Sequence, residues 1–146
     1  MEVMPVEMTK DRLEKYVSSK EEIAELTYLL EHLGEGDTMI GNDVINDYST
    51  GYARPQTVVG FDYAKYERTR KRYEKRKLEL EKECEEIEKF VEEIPDSLTR
   101  RIFRMYFILG MDQKTVARKV HLDRSMISKK IDAYLKLAHN SRDSHV

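Results

Sequence analysis

Tyr66, Tyr73, Leu80, Ile87 and Ile94 recur every seven positions, and the stretch 62–93 that carries the first four contains no glycine or proline. Seven-residue spacing keeps apolar side chains on one seam of an α-helix, so these residues predict a long helix packed in coiled-coil fashion along one side, with Cys84 and Val91 beside the seam. The charges on this helix are segregated. Eight of the ten charged residues in 65–77 are basic, whereas 79–93 holds eight Glu and two Lys. That order opposes the helix macrodipole, which favours acids at the N-terminus and bases at the C-terminus. Something outside the helix has to compensate.

Residues 8–33 supply a partner. Tyr16, Ile23 and Leu30 are again seven apart, Leu26 and Leu33 complete the seam, and Gly34 and Gly36 tolerate the positive φ that closes a helix. Folded back antiparallel, this helix brings Glu21, Glu22, Glu25 and Glu31 to the basic half and Lys10, Arg12 and Lys15 to the glutamates. A pair of long helices running antiparallel across a dimer satisfies the same logic. Between the two helices, 37–61 has three glycines, Pro55, two Asn and no 3.6-residue period. The linking stretch 34–61 is therefore expected as an ordered loop on the helices, although "QTVVGF" has the composition of a short strand or hairpin arm.

The chain of 146 residues is 40% hydrophobic and 37% charged, enough for a core and for much solvated helix surface. One cysteine, Cys84, excludes an intrachain disulfide framework and cannot supply a zinc site alone. No apolar run approaches the roughly 20 residues needed to span a bilayer, and no basic start followed by an apolar stretch marks the N-terminus, so a cytoplasmic location without membrane contact is expected. Asp37, Asp43, Asp47 and Asp62 lack recognised ligand spacing, and Asp is common in turns. Neither an enzyme nor a cofactor or metal site is expected.

The net charge of −2 conceals an asymmetry. Residues 95–146 hold 11 Lys and Arg against 5 Asp and Glu, net +6, leaving −8 on residues 1–94. An acidic body carrying a basic C-terminal unit is the pattern of an appended nucleic-acid-binding module. The division expected is 1–94, a helical oligomerisation region, and 95–146, a DNA-binding domain.

Within the basic unit, "IPDSLTRRIFRMYFILG" restarts a helix after Pro95, with Asp96 or Ser97 as N-cap and Gly110 as stop. Its expected buried face is Leu98, Ile102, Met105, Tyr106 and Leu109, with Phe103, Phe107 and Ile108 partly off it. Next, 113–132 fits a helix-turn-helix: Val116, Ala117, Val120, Leu122, Ile127 and Ile131 occupy its apolar positions, with small Ala117 at the closest approach. Asp112 and Asp123 are suited to cap the two helices, and His121 takes the turn position usually given to glycine. On the second helix, 123–137, Met126, Ile127, Ile131, Tyr134, Leu135 and Ala138 line the expected buried side. Arg124, Ser125, Ser128, Lys129 and Asp132 point away. A helix so arranged offers Arg124 and Lys129 to guanine edges or phosphates and the serines to bases, while Gln113, Lys114, Arg118 and Lys130 hold the backbone. Arg100, Arg101 and Arg104 extend the basic surface.

The segment "IPDSLTRRIFRMYFILGMDQKTVARKVHLDRSMISKKIDAYLKLA" resembles sigma-factor region 4 and, more closely, the region-4-like C-terminal domains of small phage and prophage transcriptional regulators, including the RinA/ArpU-like late activators. The front half is similar in order and spacing to the helical part of an uncharacterised domain family common in prophages of Gram-positive bacteria. By position, the resemblance implies that Arg124, Ser125, Ser128 and Lys129 read DNA. Two departures stand out: Lys130 occupies a place often apolar in region 4, and no segment supplies the aromatic-rich promoter-melting helix of a complete sigma factor. The expectation is an all-α protein, an N-terminal antiparallel hairpin followed by a helix-turn-helix. It acts as a homodimeric regulator on double-stranded DNA, with RNA polymerase as a candidate second partner. The alternative is a small terminase-like DNA-packaging subunit, set apart by assembling as a closed ring.

Overall fold

The computed structural model describes residues 7–35, 40–47 and 54–143. The chain is predominantly helical, in line with the all-α expectation. In order it forms α1 (Lys10–Glu14), α2 (Tyr16–Glu31), β1 (Ile40–Asp47), β2 (Arg54–Phe61), α3 (Tyr63–Glu92), α4 (Ser97–Phe103), a π-helical turn (Arg104–Ile108), α5 (Gln113–Val120) and α6 (Arg124–Asp143). Two compact units result, one from Met1–Glu21 with Leu80–Val146 and one from Glu22–Glu79. The boundary expected at residue 94 therefore falls inside the first unit.

In the first unit Thr9 caps α1 by accepting the Arg12 N–H, and the chain resets at Lys15 before α2 begins. Leu13 and Tyr16 are buried with Cys84, Ile87, Val91 and Ile94, the C-terminal part of the heptad seam. Polar contacts fasten the same helices. Arg12 donates to Glu83 at 2.6 and 2.9 Å and to Glu86 at 2.6 Å, Tyr16 donates to Glu88, and Lys20 lies 3.8 Å from Glu88. Burial alone would lower the Arg12 guanidinium, but its two glutamates outweigh it and hold the charge more firmly. Burial raises the Tyr16 hydroxyl, and Glu88 raises it further. The expected pairing of Arg12 with the glutamate block is formed. Lys10 departs from that expectation, lying 3.6 Å from Asp132 of α6. Cys84 is a free, buried thiol, pushed up by burial.

Asp96, rather than Ser97, caps α4, accepting the Thr99 N–H at 3.0 Å and its hydroxyl at 2.7 Å. The helix then widens. The Leu109 N–H bonds to the Arg104 carbonyl at 2.9 Å, five residues back, and the extra residue in the turn rotates the side chains beyond it. Phe103, just before the turn, and Phe107, within it, are buried, and Leu109, expected inside, is 59% exposed. Tyr106 is only half-buried. Phe103 packs against Phe90, Phe107 and Tyr134, with ring centroids 5.3–6.3 Å apart.

In the second unit the stretch between α2 and α3, expected as a loop, contains an antiparallel ribbon. β1 pairs with β2 from Ile40↔Phe61 to Asp47↔Arg54. The β-branched run Thr57, Val58, Val59 suits a strand, and Pro55 is tolerated because each strand of a two-stranded ribbon has a free edge. Gly34, at φ +94°, closes α2, and a Cβ placed there would lie 3.4 Å from the Phe61 and Tyr66 rings. Phe61 also packs edge-on to Tyr63 at 4.7 Å. Asp62 accepts the Lys65 N–H at 2.9 Å and so caps α3. Leu26 and Thr69 are buried, with Ile23, Leu30, Leu33 and Tyr73 half-buried. Arg70 bonds along its own helix to Glu67 at 2.8 Å and Glu74 at 2.9 Å. Among the described residues, Glu22, Glu25 and Glu31 form no ion pair with the basic half of α3, so the charge match expected there is not made. No helix among the described residues is long and apolar enough to cross a membrane.

Candidate nucleic-acid interface

α5 and α6 meet at a three-residue corner in the first unit. Asp112 caps α5 by accepting the Thr115 N–H at 2.7 Å, and that hydrogen bonding, with Arg118 and Lys114 nearby, holds its carboxyl below the usual range. His121 ends the helix in the left-handed region at φ 59°, ψ 43°, its N–H bonded to the Ala117 carbonyl. The Leu122 N–H reaches the same carbonyl at 3.0 Å, and the Met126 N–H bonds to the Asp123 carbonyl at 2.9 Å as α6 starts. The cap at Asp112 and the turn at His121 are those that the residue types lead one to expect.

Its inner side is apolar. Val116, Ala117 and Val120 of α5 and Ile127, Ile131 and Leu135 of α6 are all buried, and α4 packs against both helices. Six such side chains, each contributing roughly 1.5–3 kcal/mol for the larger ones, fix the crossing of the helices and so the direction of their outer faces. Met126, expected within this core, is 36% exposed, because one position before Ile127 the helix has already turned outward.

The outer side is polar and largely cationic. Lys114, Arg118, Arg124, Ser125 and Lys129 are exposed, and Gln113, Ser128 and Lys130 are half-buried. On α6, Ser125, Lys129 and Asp132 share the face opposite Ile127 and Ile131, with Ser128 at its edge. Arg124 stands on the first turn, where it lines an open cleft of about 580 Å³ with Gln113, Asp112, Glu14 and the backbone at Gly110. Lys130 lies on the opposite flank, close enough to Asp96 to help hold that carboxyl down after the Thr99 hydrogen bonds.

Two of the three arginines expected to extend the surface have internal work. Arg100 donates to the Ile94 carbonyl at 2.8 Å, closing the end of α3, and Arg104 bonds to Glu92 at 2.8 Å. Arg101 is exposed. Lys119, on the last turn of α5, is an exposed cation outside the expected set; its place one residue after Arg118 was the available signal. Lys10 is a second unexpected contributor. Its ion pair with Asp132, at 3.6 Å, partly offsets the one carboxylate among Ser125, Lys129 and Asp132 on that face.

No group of three or more His, Cys, Asp or Glu able to hold a metal ion occurs among the described residues. Asp62 is a helix cap, Asp43 and Asp47 stand in β1, and Asp37 lies outside the described residues. Comparison with protein-family models, curated proteins and solved structures finds no match to this chain.

Proposed function

We propose that the chain is a sequence-specific DNA-binding transcriptional regulator of phage or prophage type, in which α5 and α6 act as a helix-turn-helix and α6 enters the major groove. The carrying observation is the contrast across the corner: a fully buried apolar wedge inside, and Arg118, Arg124, Ser125 and Lys129 exposed outside. In that arrangement Arg124 and Lys129 offer donors to guanine edges, Ser125 and Ser128 reach bases or phosphates, and Gln113, Lys114 and Arg118 hold the sugar-phosphate backbone. Lys130, half-buried on the opposite flank of α6, is a flanking phosphate contact.

The reading includes an antiparallel pairing of the two longer helices as the oligomerisation part. One short helix reads few base pairs, so a dimer on a two-fold symmetric site supplies the remaining specificity. RNA polymerase is the proposed second partner, and the cytoplasm the proposed location. Selection from random duplexes tests the DNA reading: the protein should enrich a common motif with inverted half-sites. Recovery of unenriched sequence after repeated rounds would remove it.

A further inference from the structure

The basic half of α3 remains unexplained by the corner. Lys65, Arg68, Arg72, Lys75 and Arg76 are all exposed, and none forms an ion pair among the described residues. At 3.6 residues per turn their positions fall within an arc of about 100°, and at 1.5 Å per residue they extend over about 16 Å. The stripe lies beside the seam of Tyr66, Thr69 and Tyr73, not on it, so it is not occupied by the packing of its own unit. Arg70, the cation on the other flank, is instead held by Glu67 and Glu74. Arg12 and Arg104 likewise have carboxylate partners. Lys65 stands in the first turn of α3, where the macrodipole adds positive potential.

We infer that this stripe is a second polyanion contact, binding the phosphate backbone of duplex DNA. The inference rests on the DNA reading proposed above. Five like charges on one arc repel one another, and an anionic partner relieves that repulsion more fully than screening by salt does. Duplex DNA carries one charge per roughly 1.7 Å of axis, so a stripe of this length meets more phosphates than it has cations. The stripe carries no apolar side chain of its own, which favours phosphates over a protein partner. Such a contact adds affinity without sequence information and steepens the dependence on salt.

The test uses the full chain, an enriched duplex and a shuffled duplex of the same length, with binding measured over a range of salt. The variant carries Arg68→Gln, Arg72→Gln, Lys75→Gln and Arg76→Gln, since Gln keeps helix propensity while removing charge. A control carries Lys82→Gln and Lys89→Gln, exposed cations in the glutamate-rich half. Helical content is checked by circular dichroism and mass in solution by light scattering. The stripe predicts that the slope of log K against log salt loses about 2 to 4 in magnitude on both duplexes, because each phosphate contact contributes about 0.9. The ratio between enriched and shuffled duplexes stays within twofold, and the control keeps the wild-type slope. An unchanged slope in a variant that still binds DNA overturns the stripe and leaves the DNA reading standing. If the variant instead changes from dimer to monomer at unchanged slope, the stripe serves a second copy's acidic surface and the inference is wrong. A wild-type chain that binds neither duplex removes the DNA reading, and the stripe with it.

Discussion

His121 adopts φ 59°, where a Cβ crowds the following carbonyl at a cost of about 1–2 kcal/mol, and Gly would remove that crowding at an entropic cost of about 0.5–1 kcal/mol. The difference favours glycine. His121→Gly should raise stability by about 0.5–1 kcal/mol in chemical denaturation, with helical content unchanged. A loss of stability would mean that the imidazole makes a contact outweighing the strain. The position was readable from sequence, because a corner between Ala117 and Leu122 leaves no other residue to turn the chain. Other residues were not readable in this way. Arg100 and Arg104 are chemically equivalent to Arg101, and only the nearby Ile94 carbonyl and Glu92 separate internal from external duty.

At the scale of elements, caps and seams were legible and the turns of the backbone were not. Asp96 and Asp112 cap as their side chains require, and both carboxyls are held below their ordinary values, first by hydrogen bonds from Thr99 and Thr115. A carboxyl depressed in the folded state contributes stability that is present above its unfolded value and lost as pH falls through its folded value. Helices α4 and α5 should therefore weaken as pH falls below about 4, the ordinary carboxylate range. The double variant Asp96→Asn, Asp112→Asn keeps capping without titrating, so its acid unfolding should be shallower in that window. Equal steepness in the two proteins would exclude the caps as the cause. The π-helical turn had no sequence signal, since Phe103 and Phe107, four apart, share one face of a regular helix as well. Phe107→Ala should cost about 3–5 kcal/mol, whereas Leu109→Ala stays within about 0.5 kcal/mol, as surface changes do. Equal costs would contradict the rotated face. The ribbon was legible in its second strand only. Thr57, Val58 and Val59 favour a strand, whereas the Asn and Asp of "IGNDVIND" are residues that strands tend to avoid.

For the whole molecule, the slight negative net charge is a sum of unlike parts. An acidic N-terminal stretch contains a cationic stripe on α3, and a basic C-terminal stretch carries cations on its outer corner. Polarity along the chain, not overall charge, separates surfaces able to meet DNA from those that repel it. The α5–α6 corner was legible because two short helices meeting at a tight turn demand particular residue types at fixed spacing. Its supporting contacts were not, because Lys10 with Asp132 and Lys130 near Asp96 join residues that only the folded chain brings together. The central claim is that α6 reads sequence, and it is tested most directly by repeating the selection from random duplexes with Arg124→Ala, Lys129→Ala. The wild-type chain should enrich one motif, and the variant, with unchanged helical content, should enrich none. Enrichment of the same motif by the variant would contradict the account.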